Sequence, residues 1–333
     1  MQKIQKNTRC SIAIRCVSLT AILAASGSGF AQASPYPVRP VRLVVGFAAG
    51  GPTDVVARAL ADYAGRTSGQ PFVVENRPGA NTILAAQAVA GSPADGYTLL
   101  FGATNLTMIP ALYGARVKFD VVKSFQAICS VATSPTVLVT GPAVQTRTLK
   151  DFMAAVRAQP GKITAGSPGV GSSGHFATEM FARVNDLHFN HVPYKGAAPV
   201  VTDLMGGQLD SSFATLGSVL SQIKNGKLHA LAVAASKRST LLPQVPTFSQ
   251  AGAGEFTADA WYGVLTPAGV PAQVVKVLED VAQGFSKNEA AAERMRSLGM
   301  EPESQCGAPF AAQVLREVAT YSRVAQALDI TAE

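Results

Sequence analysis

The chain of 333 residues is 47% hydrophobic and 15% charged, with 30 Gly and 20 Pro, a balance that excludes a disordered segment, a coiled coil and a collagen-like repeat. Its formal charge of +7 is concentrated at one end: Lys3, Lys6, Arg9 and Arg15 lie in the first 33 residues, which hold no acid, leaving 24 basic against 21 acidic side chains after them. No run of like charge follows, so the composition carries no footprint for nucleic acid.

The first 33 residues read as a secretory signal peptide. A cationic stretch ends at Arg15, an apolar run spans Val17 to Ala25, Ser and Gly break it at 26–29, and Ala31 and Ala33 occupy the two positions a signal peptidase reads. A membrane anchor is the alternative, but it needs about 20 predominantly apolar residues, and this run is too short. Cleavage after Ala33 is expected, giving a soluble, periplasmic chain of 300 residues from Ser34. Cys10 and Cys16 leave with the signal, and Cys129 and Cys306 remain, 177 positions apart. An oxidising compartment would allow them to pair. Cys129 reads as a buried strand position, where a thiol behaves as a small hydrophobe, and two free thiols are the expectation.

Beyond the signal, β-branched runs alternate with Ala/Leu-rich stretches. Strands are predicted at 41–47, 71–77, 96–102, 135–141, 162–167, 188–194, 209–215 and 228–234, with helical patterns at 54–67, 82–90, 149–158, 175–184 and 198–205. That order predicts parallel sheets with helices on both faces. A strand, a Gly-rich turn and a helix occur at 41–67 and again at 162–184, as two similar α/β domains would give. Ligands of open α/β sheets bind beyond the carboxyl ends of the strands, where these turns sit.

The first turn is Phe47-Ala48-Ala49-Gly50-Gly51-Pro52-Thr53-Asp54. Gly51 suits a helix N-cap, Pro52 the first helical position, and Asp54 the third, where a carboxylate complements the helix dipole. Free N–H groups at such a start make a ready anion site; an ordinary strand-to-helix connection has the same sequence. The second turn, Gly166 to His175, contains Gly169, Gly171 and Gly174 in G-x-G-x-x-G order. The dinucleotide reading then requires an acid at the end of the next strand, and His191-Val192-Pro193-Tyr194-Lys195 offers none. A nucleophile elbow at Ser167 fails as well, because Pro168 has no N–H to donate to an oxyanion. What remains is a second anion cradle, with Ser172 and Ser173 as cap and hydroxyl donors. No metal or cofactor site is predicted: His175, His188, His191 and His229 form no ligand pair on one helix face, and His188 and His191 point to opposite faces of a strand.

These residues resemble the Bug proteins, the TctC-type periplasmic receptors of tripartite tricarboxylate transport. The resemblance rests on YPVRPVRLVVGFAAGGPTD (36–54), GQPFVVENRPGA (69–80), PADGYTLLFG (93–102), SPGVGSSGH (167–175), HVPYKGAAPVVTDLMGGQLD (191–210), LHALAVAASKR (228–238), LPQVPTFSQAG (242–252) and WYGVLTPAGVP (261–271). It departs where FDVVKSFQAI (119–128) carries Val121 and Ser124 in place of a usual Pro and Asp, and at Gln244 and Gln250 where acids are usual. The resemblance implies a type II periplasmic binding protein fold: two α/β lobes, doubly wound, joined by a hinge, with a carboxylate cleft between them. One lobe would hold 34–135 and 257–333, the other 136–256.

The resemblance also implies the grip. The loop from Phe47 through Ala48, Ala49, Gly50, Gly51 and Thr53 to Asp54 would hold a ligand carboxylate, and Ser167, Gly171, Ser172, Ser173 and His175 would close from the other lobe. Thr104 and Asn105 would face the cleft, as would Ser134 at a crossing and, more weakly, Tyr194, Lys195 and Thr215. The function expected is a non-catalytic solute receptor for a small carboxylate, acting with tripartite transporter subunits in the membrane. A monomer is expected of a receptor that closes its lobes. The alternatives are a sensory module using the same cleft and a periplasmic serine hydrolase.

Overall fold

Val41–Val45 (β1) is a short Val/Leu run buried except at Arg42, and it lies between two parallel neighbours. The structure, a computed structural model, describes residues 36–194, 196–328 and 330; the predicted signal peptide at 1–33 and Lys195 lie outside the described residues. Helix α1 (Pro52–Ser68) leads to β2 (Phe72–Asn76), and α2 (Ile83–Ala90) leads to β3 (Thr98–Ala103). After α3 (Asn105–Tyr113), strand β4 (Phe125–Ser134) runs through Pro135 directly into β5 (Thr136–Thr140), which belongs to a second sheet.

That second sheet is completed by β6 (Thr164–Ser167), β7 (Asn190–Pro193), β8 (Ser211–Thr215) and β9 (His229–Val233), in the order β7-β6-β8-β5-β9. Its helices are α4 (Leu149–Ala158), α5 (Ser173–Val184), α6 (Ala197–Met205) and α7 (Leu216–Lys224). The chain returns with β10 (Ala260–Pro267), then α8 (Ala272–Lys287), α9 (Glu289–Ser297), β11 (Glu301–Cys306) and α10 (Ala308–Leu328). The first sheet has the order β11-β4-β10-β3-β1-β2. This is the two-lobed α/β architecture.

Both sheets are mixed rather than parallel throughout. Pairing is parallel where a helix joins successive strands, β1 with β2 and β6 with β7. It is antiparallel where strands carry the chain between sheets: β10 against β3 and β4, and β5 against β8 and β9. Parallel neighbours need a long crossover, and Pro135 alone separates β4 from β5. The strands outside the eight predicted ranges are β4, where only the Cys129 position reads as strand, β10 and β11. The last, EPESQC, contains no β-branched or aromatic residue, so only its neighbour β4 makes it a strand.

Cys129 and Cys306 are bonded, which corrects the expectation of two free thiols. They oppose each other in register across β4 and β11 with Cα atoms 4.0 Å apart, a juxtaposition that arises only from the sheet.

Each sheet has its own core. Trp261, Phe310, Leu100 and Val44 pack on the first, with Trp261 and Phe310 edge to face at 5.0 Å. An aromatic knot fills the second: Phe181 meets Phe248 at 5.0 Å, and Phe248 meets Phe256 at 5.1 Å. A further cluster draws on both halves of the chain: Met108 and Leu112 of α3, Phe176 of α5, Ala325 of α10 and Ile330. Phe176 packs against Tyr321 at 5.2 Å, and Arg183 of α5 donates to the Ala327 carbonyl at 3.2 Å, so α10 straps one sheet's helices to the other's.

Candidate functional site

The first turn begins where β1 meets Gly46. A Cβ there would lie 2.5 Å from the Cβ of Thr82, so only glycine allows the two segments to touch. Gly51 is the N-cap of α1 and Pro52 follows it in the first turn, as the sequence predicts. Ala48, Ala49 and Gly50 are exposed, Phe47 and Gly51 half-buried, and Thr53 buried.

Asp54 is 2% exposed, and both of its oxygens are occupied by protein. Oδ2 accepts from the Gly50 N–H and from Arg58 Nε, each at 2.9 Å, and Oδ1 accepts from Asn76 Nδ2 at 2.8 Å. Asn76 Nδ2 also donates to the Phe47 carbonyl at 3.0 Å, and Arg58 Nη2 donates to Asn76 Oδ1 at 2.9 Å. Burial alone would raise the carboxyl; the bonds from Arg58, Gly50 and Asn76 outweigh it and hold Asp54 below the ordinary carboxylate range. Asp54 therefore positions the loop through these bonds. Asn76, which the sequence reading passed over, is the second half of this clamp.

Beside this loop lies a segment that no periodicity marks. Ala80, Asn81 and Thr82 have φ of 47°, 49° and 72°, three successive non-glycine residues in the left-handed region. Such conformations cost on the order of 1–3 kcal/mol each and gather at functional sites. Asn105 Nδ2 donates to Thr82 Oγ1 at 2.9 Å and to the Asn81 carbonyl at 3.3 Å, so the predicted residue Asn105 braces the strained turn. Thr104 is 2% exposed and accepts from the Trp261 N–H at 2.8 Å; it joins β3 to β10 and is not open to a ligand.

The second turn is organised by two histidines. His175 and His191 stack with centroids 4.0 Å apart and planes 8° from parallel. The Gly171 N–H donates to His175 Nδ1 at 3.0 Å, and His191 Nε2 shares a 2.7 Å hydrogen bond with Ser167 Oγ. Ser167 in turn donates to the Gly169 carbonyl at 3.1 Å. Burial, and secondarily the neighbouring His191, push His175 down to about 4; burial lowers His191 too. His175 Nε2 lies 3.8 Å from Glu179, whose carboxyl burial raises. Ser172 caps α5, accepting from the His175 N–H at 3.3 Å.

Gly171 has φ of 73°, and a Cβ on it would lie 2.2 Å from Leu112 Cδ1, so this turn approaches α3 of the first sheet closely. Below it lies a cavity of about 30 Å³. The first turns of α5, α6 and α7 all contribute to its wall: Ser173 and Gly174, then Ala197, then Thr215 and Ser218, with Val200 and Phe213 as apolar sides.

The remaining predicted residues are engaged elsewhere. Ser167 is fully buried. Ser134 is fully buried too, donating to the Gly299 carbonyl at 3.1 Å and accepting from the Gly217 N–H at 3.2 Å, so it pins the crossing instead of facing a cleft. Tyr194 donates its hydroxyl to Asp203 at 2.6 Å, and that bond, with burial, pushes it up to about 12. Lys195 lies outside the described residues. Asp259, just before β10, is exposed at the surface, yet neighbouring atoms and the nearby Glu303 and Glu317 push it up to about 7. No group of three or more His, Cys, Asp or Glu among the described residues is placed to hold a metal ion.

The model of the tripartite tricarboxylate transporter family receptor matches residues 56–329. The chain belongs to this TctC family. Among its relatives is protein BugT of Bordetella pertussis, 35% identical over 277 residues, which span 81% of this chain and 83% of that one. The solved periplasmic binding protein BugD is 32% identical with a TM-score of 0.78, covering 89% of this chain and all of that one. An R. palustris protein solved with adipate is 30% identical with a TM-score of 0.82, over 89% of this chain and 100% of that chain. MatC from Rhodopseudomonas palustris, solved with bound malate, is 30% identical with a TM-score of 0.77, over 87% and 99%. The TctC family is one of solute-binding receptors, and among the described residues no helix is long and apolar enough to cross a membrane.

Proposed function

We propose that this TctC-family chain is exported, loses residues 1–33 after Ala33, and captures a small carboxylate outside the cytoplasmic membrane for a tripartite transporter. The observation that carries the reading is the convergence of three helix starts, α5, α6 and α7, on one cavity with hydroxyls from Ser173, Thr215 and Ser218. The helix dipole favours an anion at these starts, most directly at α5 beside the Ser173 hydroxyl, since the first N–H groups of α7 are taken by the Pro135 carbonyl and Ser134. The adipate- and malate-bound relatives support the same class of ligand.

In this reading the lobes divide at 135/136 and 256/257. The loop from Phe47 to Gly51 meets one end of the ligand and Gly171 to Ser173 closes over the other, while Asp54 and His175 hold those loops from behind. Closure takes place by rotation at the crossings, as in other two-lobed receptors. No catalysis is proposed: Ser167 is fully buried, its hydroxyl is engaged, and Pro168 gives no oxyanion donor.

Calorimetric titration with malate and adipate tests the reading. Saturable binding of at least one, weakened at least tenfold by Ser173→Ala, about 1.4 kcal/mol, is expected. Binding of neither, or turnover of generic esters abolished by Ser173→Ala, would overturn it. Co-purification with membrane transporter subunits in the presence of ligand is the expected partner result.

A further inference from the structure

The two stacked histidines have a property the ligand site does not require. Each holds one of the two positive-φ glycines of the second turn: His175 accepts from the Gly171 N–H at 3.0 Å, and His191, through Ser167 Oγ, reaches the Gly169 carbonyl at 3.1 Å. Because Nδ1 of His175 is the acceptor, the neutral ring carries its proton on Nε2, which faces Glu179. An added proton has only Nδ1 to occupy. There it would confront the Gly171 N–H, donor against donor, and the bond to the loop would be lost.

We infer that His175, stacked on His191, is a positioning residue for the closing loop, and that a proton on its Nδ1 releases Gly171 and with it the grip on the ligand. The device rests on the reading that this loop closes on a ligand, but its chemistry lies behind the loop and touches no ligand. Two stacked rings 4.0 Å apart cannot both be charged cheaply in a buried setting, so the pair takes its protons in two separate steps, and the release follows the one that reaches His175. The titratable groups facing it among the described residues are few. Glu179 lies on the same helix as His175, at 3.8 Å. From α10, Tyr321 packs on the adjacent Phe176 and stays protonated, since burial and the nearby acids raise it further. The faces supplied by β6 and β8 carry Ser167, Ser212 and Phe213, none of which titrates in this range. Lowering of both rings by burial places the release on the acid side of neutrality.

The direct test is an NMR titration of the isotope-labelled protein without ligand. The expected result is that the Gly171 amide resonance moves with the same midpoint as the His175 imidazole signals. In His175→Asn, which keeps an acceptor oxygen near the place of Nδ1 but cannot titrate, the Gly171 amide should hold its position throughout. His175→Phe keeps the ring stack without the acceptor and should show the released amide at every pH. In parallel, malate and adipate affinities are measured for the native protein and His175→Asn, so that titration of the ligand itself is common to both. One pH unit below the midpoint the native protein should bind about tenfold more weakly than His175→Asn, because about a tenth of it keeps the loop in place. A Gly171 amide indifferent to both rings, or the same acid loss of affinity in His175→Asn, would overturn the inference. Failure of both acids to bind at neutral pH would overturn the receptor reading, and the Gly171 amide alone would then decide the latch.

Discussion

The two loops at the strand ends are fastened in opposite ways. The first, Phe47 to Gly51, is tied by an ionised carboxylate: Asp54 gathers a backbone N–H, an amide and a guanidinium. The second, Ser167 to Ser173, is tied by neutral rings, one of which accepts a backbone N–H directly. An ionised carboxylate held below its ordinary value keeps its charge through the physiological range. Burial holds both imidazoles below their ordinary range and so keeps them neutral there. The same task, fixing a glycine loop, is thus solved once with a charge and once by excluding one, and only the second solution is undone by a proton added to its acceptor.

The largest expected change belongs to neither loop. Replacing Cys129 and Cys306 with serine should cost about 2–5 kcal/mol in chemical unfolding and leave carboxylate affinity unchanged, since the bond joins β4 to β11. Asp54→Ala should cost about 2 kcal/mol and weaken binding at every pH, because it strands the Gly50 N–H and the Asn76 amide behind the first loop. Gly171→Ala should cost on the order of 1–2 kcal/mol through the φ of 73° and the clash with Leu112. Adding Leu112→Ala should restore the steric part only. Ser172→Ala should cost about 1 kcal/mol as a lost cap of α5.

The smallest effect is the most informative about pH. His175 binds its proton near 6.5 in the unfolded chain and near 4 in the folded one, so its contribution to stability declines as pH falls through that interval. Asp259 acts in the opposite sense: it ionises near 3.8 unfolded and near 7 folded, so folding gains stability as pH falls below about 7. The two act against each other in the native protein, with the exposed Asp259 the more strongly screened by solvent. Asp259→Asn should steepen the loss of melting temperature with acid, and adding His175→Asn should reduce that loss.

The sequence carried the fold class and eight strands, clearest where burial on both faces imposes β-branched or aromatic residues, as in β1 and β5. It did not carry β11, whose EPESQC reads as loop and is a strand only because β4 presents an edge to it. The disulfide was hidden for the same reason, since register brings together residues 177 apart. In the site, helix caps were legible: Gly51 and Ser172 stand at the N-caps they suit. Side-chain commitments were not. That Asp54 turns to Asn76, Ser134 to Gly299, and His175 to His191 depends on which neighbours the sheets supply, and linear spacing holds no record of that. The strained run from Ala80 to Thr82 was invisible because Ala and Thr have no preference for the left-handed region.

The measurement that bears most directly on the receptor reading is thermal unfolding of protein first unfolded and refolded to remove any retained ligand. It is scanned against malate, adipate, and their uncharged amides. A carboxylate at 100-fold its dissociation constant should stabilise the chain by about 2.7 kcal/mol, with the amides inert and the gain lost in Ser173→Ala. Equal stabilisation by acids and amides, or none by any carboxylate while the refolded protein melts cooperatively, would contradict a carboxylate site built on these helix starts.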